Sequence, residues 1–436
     1  MKTRLLPLLA AAAISADAGA IDLLGAYNMA LVNDAGYLAS VYERQAVSQD
    51  PVIVKSTLFR PSVNLSAEGN LVNEDVDSAS ATGSDSYTST GAALSLSHTL
   101  FNRQRNISLN QAKLDDQRAG ADLASAEDDV IIRVADAYFA VLGAIDTLEL
   151  STSEKIAIRR QLELADERLN VGIGTQTDLY DAQARYQLAE ANEIEARNLI
   201  EAAMQAFIAI IGQEPGDLDR LREDALLEKP DPDSVSDWVN TAISNNPSLR
   251  SASIGLEIAR QEVERLKHTK SPQVSLNAVG SYTDNSGGIS GSSDRTNASV
   301  GVELAIPLYL GGSVEATVQK AAITANAQEQ LVELARRDIV RTIRNLYNDV
   351  SSSIARVAAL DQAVIAGESA VEAKQEGFAA GLITNLDVLD AQRDLYQARR
   401  DYLRARYDYI LSVLRLEQAA GELDEDDVAR VNSWLQ

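Results

Sequence analysis

Four stretches of the chain alternate apolar and polar residues with period two. In 62–71, Val63, Leu65, Ala67 and Leu71 alternate with Ser62, Asn64, Ser66, Glu68 and Asn70. In 273–283, Val274, Leu276, Ala278 and Tyr282 alternate with Gln273, Ser275, Asn277 and Ser281. In 297–308, Ala298, Val300, Val302, Leu304, Ile306 and Leu308 alternate with Asn297, Ser299, Gly301 and Glu303. A weaker version covers 89–101, where His98 interrupts the row of Ala92, Leu94, Leu96 and Leu100. This period predicts strands with one apolar and one polar face, at about 62–74, 87–101, 272–284 and 296–309. Each is about ten residues or more, the length a tilted strand needs to cross a bilayer. Asp-, Ser- and Gly-rich segments at 75–86 and 284–295 predict loops that join the strands in pairs. A soluble two-faced sheet would carry the same pattern.

After each strand pair the period changes to three and four. From 103 to about 170 it runs through Val130, Val134, Tyr138, Val141, Ile145 and Leu148. From 313 to about 378 it runs through Ile339, Ile343, Leu346, Val350, Val357, Leu360 and Val364. Neither stretch contains Pro. Helices of that length reach on the order of 100 Å at 1.5 Å per residue, longer than a globular domain is wide. They must pack side by side as coiled coils. Shorter helices are expected before each strand pair (about 22–58 and 234–268) and after each long helix. Stacked end to end, these would make the long helix's partner. Four strands cannot close a barrel, and open edges find no water in lipid. Several chains must therefore share one barrel: two would give eight strands, three would give twelve.

The order repeats. Arg60-Pro61-Ser62-Val63-Asn64-Leu65 is answered by Ser271-Pro272-Gln273-Val274-Ser275-Leu276, and Asp136-Ala137-Tyr138 by Asn345-Leu346-Tyr347. Thr177-Asp178-Leu179-Tyr180-Asp181-Ala182-Gln183 is answered by Leu386-Asp387-Val388-Leu389-Asp390-Ala391-Gln392. Several motifs in one order at a near-constant offset mark an internal duplication. The halves are 21–215 and 233–425, with a Pro- and Asp-rich linker at 216–232 and a C-terminal tail at 426–436. Residues 1–20, with Lys2 and Arg4 before the apolar run 5–14 and small residues at Ala16, Ala18 and Ala20, have the form of a secretory signal peptide.

Composition removes most other functions. Cys is 0 and His is 2, which leaves no thiolate metal site, Cys nucleophile or His-based metal triad. The net charge of −25 disfavours nucleic acid. A mean hydropathy of −0.14 is too polar for a bundle of membrane-spanning helices. No phosphate-cradling loop, zinc spacing or nucleophile elbow is present. His98 and His268 read as structural or solvated residues, and no catalytic residue, cofactor or dedicated metal site is expected. The acidic run 422–427 reads as a solvated face. A secreted hydrolase lacks the residues for its chemistry, and an envelope duct competes with a coiled-coil protein that has no pore. The alternating strands favour the duct, since a filament has no use for them.

Over essentially the whole mature chain the sequence resembles the TolC family of outer-membrane efflux and secretion ducts. The resemblance rests on Ala137-Tyr138-Phe139-Ala140-Val141-Leu142, Ile306-Pro307-Leu308-Tyr309-Leu310-Gly311-Gly312 and Asp387-Val388-Leu389-Asp390-Ala391. It implies a homotrimer in the outer membrane of a Gram-negative bacterium, with a twelve-stranded barrel in lipid and a helical tunnel in the periplasm. It also implies two partners, a periplasmic adaptor (membrane fusion) protein and an inner-membrane transporter of the RND or ABC type.

The resemblance also assigns residues. Asp387 and Asp390 share a helix face and would ring the periplasmic entrance as a constriction that selects cations. Thr177, Asp178, Asp181, Phe378 and Ile383 would form the entrance gate. Val171, Gly172, Ile173, Gly381 and Leu382, in the Gly turns after the long helices, would dock the adaptor. Thr175-Gln176-Thr177-Asp178 and Thr384-Asn385-Leu386-Asp387 have the form of a capping box. Asp178 and Asp387 are then partly occupied as helix starts, and Asp390 is expected to dominate the filter. The family often locks this tip through Tyr and Arg links to a neighbouring chain's acid. Phe378 and Ile383 stand at those positions and cannot donate hydrogen bonds. Asp181 adds an acid where relatives are often neutral.

Overall fold

A computed structural model describes residues 21–78, 81–225, 227–289 and 291–436. The expected signal peptide lies outside the described residues. The chain forms two compact units, each assembled from separate stretches of both repeats. One takes residues up to Ala39, Ala126–Asn246 and Ile339–Gln436; the other takes Ser40–Ser125 and Pro247–Asp338.

The second unit holds the sheet. Helix α3 (Asp50–Phe59) leads into β1 (Ser62–Ser78), which pairs with β2 (Ala81–Asn102). A helix of 21 residues (Pro247–Lys267) and a short 3-10 turn lead into β3 (Gln273–Asn285) and β4 (Ser293–Ala305). All neighbours are antiparallel in the order β1-β2-β3-β4, which leaves β1 and β4 as edges. The register places Val63 beside Leu96, Leu96 beside Ala278, and Ala278 beside Val300. One face is therefore apolar across all four strands. The other is polar: Ser97 donates to Asn277 (2.9 Å), and Asn277 donates to Glu303 (3.2 Å). Leu65, Leu71 and Val300 stand largely exposed on this sheet. The weaker alternation of 89–101 has a counterpart in the register, which shifts between Thr99 and Phe101.

The strand ends differ from expectation. Most of 75–86 is strand, because a tight hairpin pairs backbones whatever the polarity of its side chains. In the second connection, 286–289 and 291–292 lie outside the strands, with Gly288 and Gly291 at positive φ. β4 stops at Ala305, where Pro307 lies just ahead with no N–H to offer the ladder. The single helix expected over 22–58 is three: α1 (Leu23–Asn33), α2 (Ala35–Val47) and α3. The break after α1 is fixed by Asp34, buried and held by both terminal nitrogens of Arg133 at 2.7 and 2.9 Å. The helix expected over 234–268 is likewise two, α6 (Val235–Asn245) and α7 (Pro247–Lys267), because the residue before a Pro resists helical geometry.

The long helices are α4 (Arg103–Asn170, 68 residues) and α8 (Ser313–Ala379, 67 residues). Each is followed by a turn and a helix of 36 residues, α5 (Gln176–Ile211) and α9 (Asn385–Ala420). These start on Thr175 and Thr384 and stop on left-handed Gly212 and Gly421, so the duplication extends to the caps.

The core of the first unit centres on Tyr138, fully buried and edge-on to Phe139 and Phe207. Its hydroxyl lies 2.8 Å from the carbonyl oxygen of Asp219 and 3.1 Å from that of Ile21. The repeat partner, Tyr347, is only half-buried and donates to Asp233 at 2.6 Å. The segment expected as a tail is part of this core. Helix α10 (Glu425–Asn432) starts in a capping box made by Asp424 and Asp427 and buries Val428 and Val431. The acidic run is thus a helix start with its apolar side turned inward. The linker is also fastened: Ile21 bridges to Leu218, and Leu221 to Leu435. No described helix is long and apolar enough to cross a membrane.

Candidate entrance site at the helix turns

The two turns after the long helices share one geometry. Ile173 N–H donates to the Arg168 carbonyl, and Leu382 N–H to the Gly377 carbonyl, both at 2.9 Å. Gly172 and Gly381 supply the left-handed residue, with φ of 80° and 74°. This is the six-to-one closure that ends a helix. It leaves Val171, Ile173 and Leu382 more than two-thirds exposed. The turns differ one residue later. A Cβ on Gly174 would lie 2.8 Å from the backbone of Leu169, whereas Ile383 folds its side chain back over Gly377.

Each following helix starts on its Thr. At α9 the capping box is complete: Asp387 N–H donates to the Thr384 hydroxyl, and Thr384 N–H donates to Asp387. Hydrogen bonds from Thr384 hold the Asp387 carboxyl below the usual carboxylate range. At α5, Asp178 N–H donates to Thr175 (3.1 Å), whose hydroxyl donates back to the Asp178 carboxylate (2.7 Å). Thr177 is exposed in the same turn, and Asp181 makes no ion pair among the described residues.

Asp390 is not a bare charge. Arg185 of α5 meets it at 2.7 Å and Arg393 of α9 at 3.3 Å. The first of these bridges ties α5 to α9. A second tie joins the ends of α4 and α8: the Arg168 guanidinium sits 4.2 Å from the centre of the Phe378 ring, within cation–π range. Below the turns, Ala165, Ala182, Ala189, Ile158 and Leu389 form a separate buried cluster whose small side chains let helices approach closely. Glu193 is buried beside it, clamped by Lys155 and Arg197. The structure thus brings the two turns together through Arg168 and Arg185. No sequence signal singles them out, since nothing marks which of many helix cations faces another helix.

Comparison with known proteins agrees with this architecture. The outer membrane efflux protein family matches twice, over residues 26–213 and 238–422. The outer membrane protein TolC of Vibrio cholerae serotype O1 is 35% identical over 99% of both chains. The alkaline protease secretion protein AprF of Pseudomonas aeruginosa is 32% identical, over 95% of this chain and 87% of its own. Among solved structures, the Campylobacter jejuni CmeC outer membrane channel superposes with a TM-score of 0.79, covering 95% of this chain and 90% of its own, at 16% identity. With two matches to the family that together span most of the chain, a strand–helix order shared by both halves and relatives above 30% identity, the chain belongs to the outer membrane efflux protein family.

Proposed function

We propose that this outer-membrane exit duct is built from three copies of the chain, which share one twelve-stranded barrel. The observation that carries the reading is the four-stranded sheet, apolar across one whole face and unpaired at both edges. Lipid tolerates the apolar face and forbids the open edges, so further copies must supply the missing pairs. The long helices continue the duct toward an inner-membrane transporter, and an adaptor joins the two. The relatives include proteins named for protease secretion and for efflux, and either kind of cargo suits a passive conduit. Catalysis has no part in the reading.

In this reading Asp387 and Asp390 line the narrowest point of the entrance, with Thr177, Asp178, Asp181, Phe378 and Ile383 around it. The ion pairs revise their weight. Asp390 is balanced by Arg185 and Arg393, whereas among the described residues Asp387 accepts hydrogen bonds from Thr384 and forms no ion pair. Three-fold symmetry multiplies whatever charge remains. The test is ion conduction by the purified trimer in a planar bilayer under a salt gradient. Asp387→Asn should lower cation selectivity, Arg185→Ala should raise it, and the Asp387→Asn/Asp390→Asn double change should abolish or invert it while the trimer persists. A trimer that conducts with unaltered selectivity in all three variants would place the filter elsewhere; a wild-type chain that neither trimerises nor conducts would overturn the duct.

The exposed turn residues are the proposed adaptor contact. Ile173→Asp with Leu382→Asp leaves both glycines in place, so the turns keep their shape. Each apolar side chain buried in a contact is worth roughly 1.5–3 kcal/mol. Adaptor binding should weaken by about tenfold or more, with thermal stability unchanged. Calorimetric titration of the two purified partners reads this directly, and undiminished affinity would assign the contact to another surface.

A further inference from the structure

We propose that a groove between α3 and α4 holds the headgroup of an anionic phospholipid, one per chain, at the foot of the sheet. The groove has a volume of about 520 Å³. Its floor includes Val52, Phe59 and Leu109, and its charged lining is Lys55, Arg60 and Lys113. No acid lines it, although Asp and Glu outnumber Lys and Arg by 64 to 39 in the chain. Lys55, Arg60 and Lys113 form no ion pair among the described residues. Other cations of the same unit are used internally: Arg44 pairs with Asp116 at 2.5 Å, and Arg105 donates to the Thr57 carbonyl at 3.2 Å. The three groove cations are thus left for a charge from outside the chain.

The position names the source of that charge. α3 ends at Phe59 and β1 begins at Ser62, so the groove adjoins the end of the sheet where the apolar face starts with Val63. In a membrane-inserted sheet, the apolar band gives way to headgroups at this level. A phosphate there meets three cations, and the first methylenes of its acyl chains meet Val52 and Phe59, which are more than half exposed. Lys and Arg stems can cover apolar surface while their charged ends reach the phosphate. A zwitterionic lipid carries its own cation beside the phosphate and gains less. The inference rests on the outer-membrane barrel reading above and deepens it.

The test uses the full-length trimer, with phosphatidylglycerol or phosphatidylcholine added at equal concentration and retained lipid counted by native mass spectrometry. At roughly 1 kcal/mol per basic residue near an anionic surface, the preference for phosphatidylglycerol should be about tenfold or more. Lys55→Gln with Lys113→Gln should remove most of that preference and leave the trimer intact. A second readout uses the lack of native cysteine. Ser56 lines the groove, and Ser56→Cys places a single thiol there. Its maleimide labelling should slow about tenfold when phosphatidylglycerol is added to phosphatidylcholine vesicles. Equal retention of the two lipids, an unchanged preference in the double variant or an unchanged labelling rate would overturn the proposal. So would dissociation of the double variant into monomers, which would make the groove a contact between copies. A wild-type chain that fails to insert into vesicles would instead overturn the barrel reading itself, and this proposal with it.

Discussion

Replacing Tyr138 by Ala is expected to leave little assembled protein. The side chain is fully buried, packs edge-on against two Phe rings and places its hydroxyl against two backbone carbonyls. Truncating a buried aromatic costs about 3–5 kcal/mol through lost burial and the cavity left behind. The Asp219 carbonyl would also lose its donor, while the Ile21 carbonyl keeps the Asp219 N–H, and an unsatisfied buried acceptor costs roughly 1–3 kcal/mol. That total is comparable with the stability of many domains. Tyr138→Phe removes only the hydroxyl and should cost about 1–2 kcal/mol. The pair separates packing from hydrogen bonding, and trimer yield with the thermal midpoint reads both. Tyr347→Ala is the internal control: at the same place in the second repeat, half-buried and bonded to an exposed Asp233, it should be far milder. Equal damage at the two tyrosines would remove the first from its central place in the core.

Gly421→Ala should be far more damaging than Gly381→Ala. Gly381 and Gly421 both sit at positive φ, 74° and 72°, where an L side chain costs about 1–2 kcal/mol. Around Gly381 a new Cβ meets open space. At Gly421 it would lie 2.7 Å from the carbonyl carbon and oxygen of Asn245 and 2.9 Å from the Cα of Asn246. Those are backbone atoms at the break between α6 and α7, and they cannot swing aside as a side-chain end would. Overpacking of this kind adds roughly 1–3 kcal/mol. Gly421→Ala should therefore lower stability by about 2–5 kcal/mol, against about 1–2 kcal/mol for Gly381→Ala. Limited proteolysis along a temperature series would rank them, and equal ranking would show that conformational strain alone sets the cost.

What the sequence revealed follows from how local each signal is. Val63, Leu65, Leu94 and Leu96 fall on one face because side-chain direction in a strand depends only on parity. The caps at Thr175 and Thr384 were legible because the atoms involved lie three residues apart. The first hairpin was misjudged beyond Glu74 because Asp75, Asp77 and Asp85 carry the composition of a loop, while strand pairing is made by backbone. α10 was hidden for a similar reason: its acids dominate the composition, although Val428, Val431 and Leu435 already repeat at three and four. Arg168 and Arg185 were not legible at all. Whether a cation on a long helix meets Phe378 or Asp390 depends on the rotation of two helices packed across the repeats, which no local pattern fixes.

The clasp that joins Ile21, Leu218, Leu221 and Leu435 also has a temporal meaning. Leu24 N–H donates to Asn432 across 408 residues of chain. Contacts of such sequence separation form late, after the entropy of closing the intervening loop has been met. During export the strands cross the inner membrane long before residues 428–435 arrive to complete the core around Tyr138. Their apolar face is then exposed to water with no finished belt to hold the chain together, a state prone to aggregation. The core around Tyr138 is therefore one that the chain cannot finish until its last residues arrive, so the strands wait on the C-terminus for the support that this unit gives them.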